Sequence, residues 1–249
     1  MTTVMIVKIS KHKMLFSLLL IVLVISIALF LYFFLGRSNE TVLIEARGII
    51  ELPMPITRGT MSVEEAILKR RSIRNFLNKP LSLEDVSQLL WAAQGITDPT
   101  RGLRAAPSAG ATYPLEVYVV VGKNCVTGLS EGLYHYKPDR HVLEHLLEED
   151  LRSSLADAAL GQSSIREAPI SIIVVAIYER TTSRYGERGI RYVHMEAGHV
   201  GQNIYLQAVA RGLGTVVIGA FEDSRVQKVL KLPEDQHPLY IIPVGYPAG

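Results

Sequence analysis

The chain has 249 residues, of which 48% are apolar, and its 26 basic and 24 acidic side chains leave a net charge of +2. This composition excludes wholesale disorder, and the near balance of charge excludes a nucleic-acid footprint spread over the whole domain. The single cysteine, Cys125, excludes an intramolecular disulfide and a cysteine-based zinc site, so redox chemistry would need a bound cofactor.

One uncharged block, Met14–Leu35, accounts for the excess of apolar residues. Its 22 residues would span about 33 Å as a helix, enough to cross a hydrocarbon core of about 30 Å. We therefore predict a retained single-pass anchor over residues 14–35, behind a basic tip of residues 1–13, with a cleaved signal peptide as the alternative. Three lysines before the block against Arg37 and Arg47 after it weakly favour an extracytoplasmic domain and a contact with the lipid bilayer.

The rest of the chain has the pattern of a linker followed by a folded domain. We predict a linker over residues 36–60, with a short strand at Val42–Ala46, and one domain over residues 61–249. Ser62 and Ser82 each precede an acidic residue by three positions, which is the capping-box pattern of a helix start. The two helices should end near positions 71 and 95.

Hydrophobic periodicity predicts the later elements. The strands should lie at residues 116–121, 132–136, 141–146, 169–178, 215–218 and 239–244. The helices should lie at residues 151–160, 192–211 and 224–230. The strand at 169–178 is almost purely apolar, as in a sheet covered on both faces. These elements predict an α+β domain with a central sheet flanked by helices.

Most familiar catalytic patterns are missing from the sequence, including the GxxxxGK[ST] phosphate loop and the HExxH zinc helix. His194, Glu196 and His199 share the long predicted helix. The two histidines are five positions apart, so their side chains diverge, and we predict helix packing there and no metal site.

Three segments remain as candidates for chemistry. Lys69–Phe76 places four positive charges at a helix end, which suits either a solvated surface or a bound phosphate. Ala105–Pro114 is rich in small residues, which allow a ligand to approach the backbone. Gly214–Phe221 is a strand that ends in small residues and could lie against a flat ring. Around Ser108 the sequence approximates GxSxG, but the helix precedes it and the strand follows, the reverse of a nucleophile elbow, so a serine hydrolase is only an alternative.

Taken together, these segments resemble the nitroreductase superfamily of FMN-dependent oxidoreductases, and within it the SagB-type dehydrogenases. The resemblance covers about residues 61–247. It rests on the joint occurrence of Lys69–Arg74, Gln88–Gly95, Pro107–Glu116, Glu196–His199, Gln202–Asn203 and Pro243–Pro247.

The resemblance implies a homodimer with FMN at the subunit interface and NAD(P)H as the expected electron donor. It implies that the phosphate and ribityl chain are held by Arg70, Arg71, Ser72 and Arg74. It implies that one loop reaches the flavin from the partner subunit through Pro107, Ser108, Ala109, Gly110 and Thr112. Gly219 and Ala220 should lie against the isoalloxazine ring, and Gln162 should face the cofactor.

The chain departs from the azoline-oxidising relatives at one place, where Arg184-Tyr185 stands instead of a Lys-Tyr pair. Arginine stays protonated near neutral pH, whereas lysine can be tuned to act as a base. We therefore expect Arg184 not to abstract a proton as that lysine could, which argues against azoline oxidation. By the same resemblance Arg184 and Tyr185 occupy the catalytic positions, and Tyr185 could donate or accept a proton. The sequence predicts a membrane-anchored FMN-dependent oxidoreductase acting on a small molecule, with a tethered flavin-binding module as the alternative.

Overall fold

A computed structural model describes residues 19–20, 22–27 and 46–249 of the chain, which divides into two compact units, Met1–Thr41 and Val42–Gly249. Within the described ranges, no helix has the length and apolar character that crossing a bilayer requires. The predicted single-pass membrane localisation is therefore wrong. A bilayer span takes about 20 continuous apolar helical residues, whereas residues 22–27 are the longest described helical stretch of this region. The rest of the predicted anchor lies outside the described residues.

The second unit alternates short helices and strands. Its helices are α1 (Val63–Lys69), α2 (Leu83–Gln94), α3 (Arg152–Ala158), α4 (Ser163–Glu167), α5 (Glu179–Tyr185), α6 (Arg188–Ala210) and α7 (Asp223–Leu230). Its strands are β1 (Gly48–Glu51), β2 (Ile96–Asp98), β3 (Leu103–Arg104), β4 (Leu115–Val121), β5 (Gly132–Lys137), β6 (Val142–Leu147), β7 (Ile170–Ala176), β8 (Gly214–Thr215) and β9 (His237–Gly245). The predicted capping boxes form in part: Ser62 caps α1 with its side chain, and Ser82 and Asp85 form the full box of α2.

Seven of these strands form one antiparallel sheet in the order β1-β6-β5-β4-β7-β9-β8, while β2 and β3 form a small separate hairpin. All seven residues of β7 are buried, which agrees with the apolar run in its sequence. Successive side chains of β7 point to opposite faces of the sheet. Ile172 packs with the residues of α2 and α6, whereas Ile173 packs with those of α3 and α7. The predicted α+β fold, a central sheet with helices on both faces, is confirmed.

Several elements differ from the prediction. The long helix begins at Arg188, four residues early, because the bare backbone of Gly189 packs against α5: a Cβ there would lie 3.0 Å from the backbone of Thr182. The helices α4 and α5, with five and seven residues, are too short to show a periodic pattern. The segment predicted as a linker contains β1, which pairs with β6. Of the strand predicted at 42–46, only Ala46 is described, and it is not in a strand.

The packing of α2 on the sheet should contribute measurably to the free energy of unfolding. Leu89 is 0% exposed, so its replacement by alanine should lower the free energy of unfolding by about 3 kcal/mol through the cavity that remains. Leu68 on α1 is 72% exposed, and Leu68→Ala should change it by less than about 0.5 kcal/mol. Urea denaturation measures both, and equal losses would contradict this packing.

Candidate functional site

The basic segment after α1 is fixed against the edge of the sheet. Ser72 forms a parallel bridge with Thr215 of β8, and the Ile73 N–H donates to the Thr215 carbonyl at 2.9 Å. A Cβ on Gly214 would lie 2.8 Å from the Ile73 side chain, so the close approach requires a glycine there. The segment that carries the predicted phosphate ligands therefore extends the sheet beyond its last strand.

Tyr205 of α6 joins this segment to the end of the strand, and the sequence analysis missed it. Its hydroxyl oxygen accepts the Val217 N–H at 2.9 Å and is hydrogen-bonded to Ser72 Oγ, also at 2.9 Å. The Arg70 guanidinium lies 5.0 Å from the centre of its ring. A signal does exist in the sequence, since Tyr205 has the one hydroxyl in the last seven residues of an otherwise mainly apolar helix end.

The arginines of this segment differ in whether their guanidinium N–H groups are already hydrogen-bonded. Arg71 donates to the carbonyls of Leu68 and Arg70, so it satisfies groups at the end of α1. Arg70 stacks on Tyr205, and no hydrogen bond of its guanidinium to another described residue is found. Arg74 is exposed and makes no hydrogen bond or ion pair within residues 46–249. Free guanidinium donors suit a phosphate, which arginine binds with two hydrogen bonds at once.

The predicted ring-facing residues lie just after β8. Gly219 and Ala220 are exposed, beyond the bridge between Ile218 and Ile241. The Ala220 carbonyl accepts a hydrogen bond from the Gln162 side-chain amide at 2.9 Å. The structure thus brings Gln162 and Ala220 together. We call Arg70, Ser72, Arg74, Tyr205, Gly219, Ala220 and Gln162 the Tyr205 cluster.

A second group of predicted residues surrounds the loop before β4. Gly110 (φ 61°) lies inside a 3-10 turn, and Ala111 (φ 54°) and Tyr113 (φ 45°) share its left-handed conformation. For residues other than glycine this conformation costs about 1–2 kcal/mol each, and such strain concentrates at functional sites. The Thr112 hydroxyl is hydrogen-bonded to that of Thr181 on α5 at 2.7 Å, while Pro107 is exposed.

The two predicted catalytic residues lie against this loop. Arg184 Nη1 donates to the Gly110 carbonyl at 3.2 Å. A Cβ on Gly110 would lie 2.5 Å from the Tyr185 hydroxyl, so Tyr185 packs directly on the glycine. We call Ser108, Gly110, Thr112, Arg184 and Tyr185 the Gly110 cluster.

A buried carboxyl group is hydrogen-bonded to the loop before β4. Glu196 of α6 is 2% exposed, and burial raises its pKa, against hydrogen bonds to Ser108 and Gln94 that lower it. Ser108 Oγ also accepts the Tyr113 N–H at 3.0 Å. Among the described residues no histidine hydrogen-bonds Ser108, so the structure does not show the Ser–His pair that the serine-hydrolase alternative requires.

Two linked ion pairs, which we call the ion-pair chain, join Arg180, Glu116 and His135 and restrain the other end of the loop. Arg180 of α5 donates to the Tyr113 carbonyl at 3.1 Å and pairs with Glu116 at 2.6 Å, and Glu116 also contacts His135 at 2.6 Å. Burial acts to raise the pKa of Glu116, but His135 and Arg180 together lower it to about 2. No local sequence pattern indicates these linked ion pairs, because their members come from three separate elements.

Within residues 46–249, no hydrogen bond or ion pair joins the Tyr205 cluster to the Gly110 cluster. A cavity of about 220 Å³ adjoins the Tyr205 cluster, lined in part by Arg71, Ile73, Tyr205 and Thr215. This volume is below the roughly 300 Å³ at which small-molecule pockets begin. A larger cavity, about 360 Å³ between residues 56–61, α2 and the end of α6, contains none of the predicted site residues.

Comparison with known proteins supports the resemblance seen in the sequence. Residues 67–246 match the model of the nitroreductase family. The protein MJ1384 of Methanocaldococcus jannaschii, named as a nitroreductase, is 51% identical over 185 residues, 74% of this chain and 91% of that protein. A solved structure from Ralstonia eutropha, also named as a nitroreductase, has a TM-score of 0.70 and 31% identity, and the match covers 81% of this chain and 90% of that one.

Two further relatives carry functional names. The microcin B17-processing protein McbC of Escherichia coli is 31% identical over 164 residues, 64% of this chain and 60% of McbC. An NADPH-dependent oxidoreductase of Staphylococcus aureus strain MRSA252 is 26% identical over 200 residues, 75% of this chain and 65% of that protein. The predicted membership of the superfamily is confirmed, and relatives of the peptide-processing kind exist.

The Tyr205 hydroxyl should hold the strand end in place. Tyr205→Phe removes both of its hydrogen bonds and leaves the partly buried Val217 N–H without a partner, so we expect a loss of about 1–2 kcal/mol in unfolding free energy. Hydrogen exchange should also accelerate in the peptide around Val217. Tyr178→Phe is the matched control, because the Tyr178 hydroxyl meets only the exposed His194. Equal exchange rates at Val217 in the two variants would refute the assignment.

The lowered pKa of Glu116 makes a prediction about pH. Because this pKa is about 2 in the folded chain against 4.5 ordinarily, the ion-pair chain stabilises the fold above pH 4.5 and loses its effect as the pH falls toward 2. The gap in unfolding free energy between wild type and Glu116→Gln should shrink by about 3 kcal/mol over this window. Asp139→Asn, with a 69% exposed side chain, is the control and should give no such change. A gap for Glu116→Gln that does not vary with pH would contradict the coupling.

Proposed function

The chain belongs to the nitroreductase family, and we propose that it is an FMN-dependent oxidoreductase that passes hydride from NAD(P)H to a small acceptor. The observation that carries this proposal is the Tyr205 cluster, where Arg70 and Arg74 keep free donors on the segment that Tyr205 joins to the strand end. The family supports the oxidoreductase class, and the Staphylococcus aureus relative named for NADPH supports the donor.

The residues of the Tyr205 cluster fit the two ends of FMN. A phosphate needs cations and hydroxyl donors, which Arg70, Ser72 and Arg74 would supply. A flat ring needs exposed backbone without side chains, and a Cβ added to Gly219 meets nothing closer than 3.8 Å. Gln162 would fix the following peptide through the Ala220 carbonyl, so that the backbone stays in place beside the ring.

When bound, FMN would supply two-electron hydride chemistry, while the protein supplies orientation and electrostatics. The Tyr185 hydroxyl, packed on Gly110, would give a proton to an acceptor that has gained hydride. Arg184 remains protonated and cannot take up a proton, so it would hold negative charge beside the Gly110 carbonyl that it already binds.

We further propose that two copies of the chain complete each site. The loop Pro107–Thr112 of one copy would face the Tyr205 cluster of the other. Two observations support this arrangement: no polar contact joins the two clusters within the described part of one chain, and the cavity at Tyr205 holds only about 220 Å³. A second copy would enlarge the cavity to the size of a ligand pocket and exclude water from it.

The phosphate assignment is tested by removing its cations. The purified full-length chain should be yellow and should release FMN on denaturation. Arg70→Ala with Arg74→Ala should weaken FMN binding at least about tenfold, since each charged hydrogen bond contributes about 1.5–3 kcal/mol. Arg47→Ala with Arg140→Ala removes the same charge just before β1 and in the β5–β6 turn, at the opposite edge of the sheet, and should leave FMN content unchanged.

Two outcomes would overturn these proposals. A colourless, folded chain that does not bind added FMN would refute the cofactor, and full FMN occupancy in the double variant would refute the phosphate site. A flavin-binding role without catalysis is the alternative, favoured by the arginine at position 184, where a lysine could have served as base. Rapid loss of flavin absorbance on mixing with NADPH or NADH would exclude that alternative.

A further inference from the structure

Four side chains of α5 and α6, two of which lie against Gly110, form one continuous cluster of arginine and tyrosine. Tyr185 and Tyr192 meet edge to face, with ring centres 5.3 Å apart. The Arg184 guanidinium lies 5.4 Å from the centre of the Tyr185 ring, and that of Arg188 lies 5.9 Å from the centre of the Tyr192 ring. We call these four residues the Arg184–Arg188 cluster. Arg188 and Tyr192 have no role in the function proposed above.

The cluster carries two positive charges that nothing in the described chain neutralises. Arg180, one turn earlier, is paired with Glu116, whereas Arg184 and Arg188 form no ion pair within residues 46–249. Both are exposed, and Glu187 between them in sequence also forms no ion pair there. A guanidinium near an aromatic ring is weakly hydrated and keeps its N–H donors at the edge of its plane, where they can bind an anion.

We propose that the Arg184–Arg188 cluster binds an anionic group, a carboxylate or a phosphate, on one of the two substrates. The position of the cluster supports this, because Arg184 also binds the Gly110 carbonyl and so lies at the loop expected to meet the flavin. The inference rests on the proposed function and deepens it. The anion has two candidate sources: an acidic acceptor, or the 2′-phosphate that distinguishes NADPH from NADH.

Equilibrium binding provides a test that does not depend on turnover. Calorimetry on the full-length chain would compare 4-nitrobenzoate with 4-nitrobenzamide, which has nearly the same shape but no charge. We expect wild type to bind the carboxylate about tenfold more tightly, and Arg188→Ala to remove most of this difference. Arg191→Ala is the matched control, because Arg191 lies on the same helix, is exposed and forms no hydrogen bond, ion pair or cation–π contact with any described residue; it should keep the difference within about twofold.

A second measurement separates the two sources of the anion. Flavin reduction by NADPH and by NADH is followed by rapid mixing in wild type and Arg188→Ala. If the anion is the 2′-phosphate of NADPH, the variant loses about tenfold in its preference for NADPH over NADH. If the anion belongs to the acceptor, that preference stays constant and the difference in affinity between 4-nitrobenzoate and 4-nitrobenzamide falls. Arg188→Lys keeps the charge and should restore part of whichever effect is seen, which guards against a folding defect in the alanine variant.

The inference and the proposed function can fail separately. Arg188-dependent binding of 4-nitrobenzoate by a folded chain that binds no added FMN would support the anion site and refute the cofactor. A yellow chain reduced by NADPH in which Arg188→Ala changes neither the carboxylate difference nor the NADPH preference by more than about twofold would overturn the anion site alone.

Discussion

The structure depends on a sheet whose central strands are buried on both faces. Once α2 and α6 cover one face and α3, α4 and α7 cover the other, a ligand can reach the sheet only at an edge. The edge at β8 is suited to this, because Gly214 and Thr215 pair continuously with β9 and Ile218 adds only an isolated bridge to Ile241. Gly219 and Ala220, which follow that bridge, are exposed and lie outside the regular ladder.

Tyr205 connects this edge of the sheet to the basic segment after α1. A partly buried N–H such as that of Val217 needs a partner, and the Tyr205 hydroxyl supplies one without adding another strand. The same oxygen reaches Ser72, and the same ring lies beside Arg70. One side chain from α6 therefore fixes the basic segment relative to the strand end. A phosphate site and a ring site built on these two segments would keep a constant separation.

The parts predicted correctly from the sequence are those that depend on local pattern. The apolar run of β7 and the capping residues of α1 and α2 each express their structure within a few neighbouring positions. The candidate site residues were found in the same way, through small or basic residues that are consecutive in sequence. Their placement in two groups follows from the fold, and their roles toward FMN are still predictions.

What the sequence could not predict depends on contacts between distant elements. Glu196 meets Ser108, and Arg180 joins Tyr113 to Glu116, across separations that no local pattern encodes. The short helices α4 and α5 form because tertiary packing overrides their weak intrinsic preference. The membrane assignment is wrong for a different reason: apolar composition over residues 14–35 predicts one long helix, whereas the structure describes only fragments of helix there, none long enough to span.

Several of these contacts between distant elements restrain the strained loop of the Gly110 cluster. Left alone, Ala111 and Tyr113 would relax from left-handed conformations that cost about 1–2 kcal/mol each. Arg180 on the Tyr113 carbonyl, Ser108 on its N–H and Thr181 on Thr112 each oppose that relaxation. Since a charged hydrogen bond contributes about 1.5–3 kcal/mol, the restraints are sufficient to offset the strain. A loop held in this way would lose little entropy on binding, so in the proposed function the carbonyl of Gly110 and the hydroxyl of Tyr185 would be oriented before a substrate arrives.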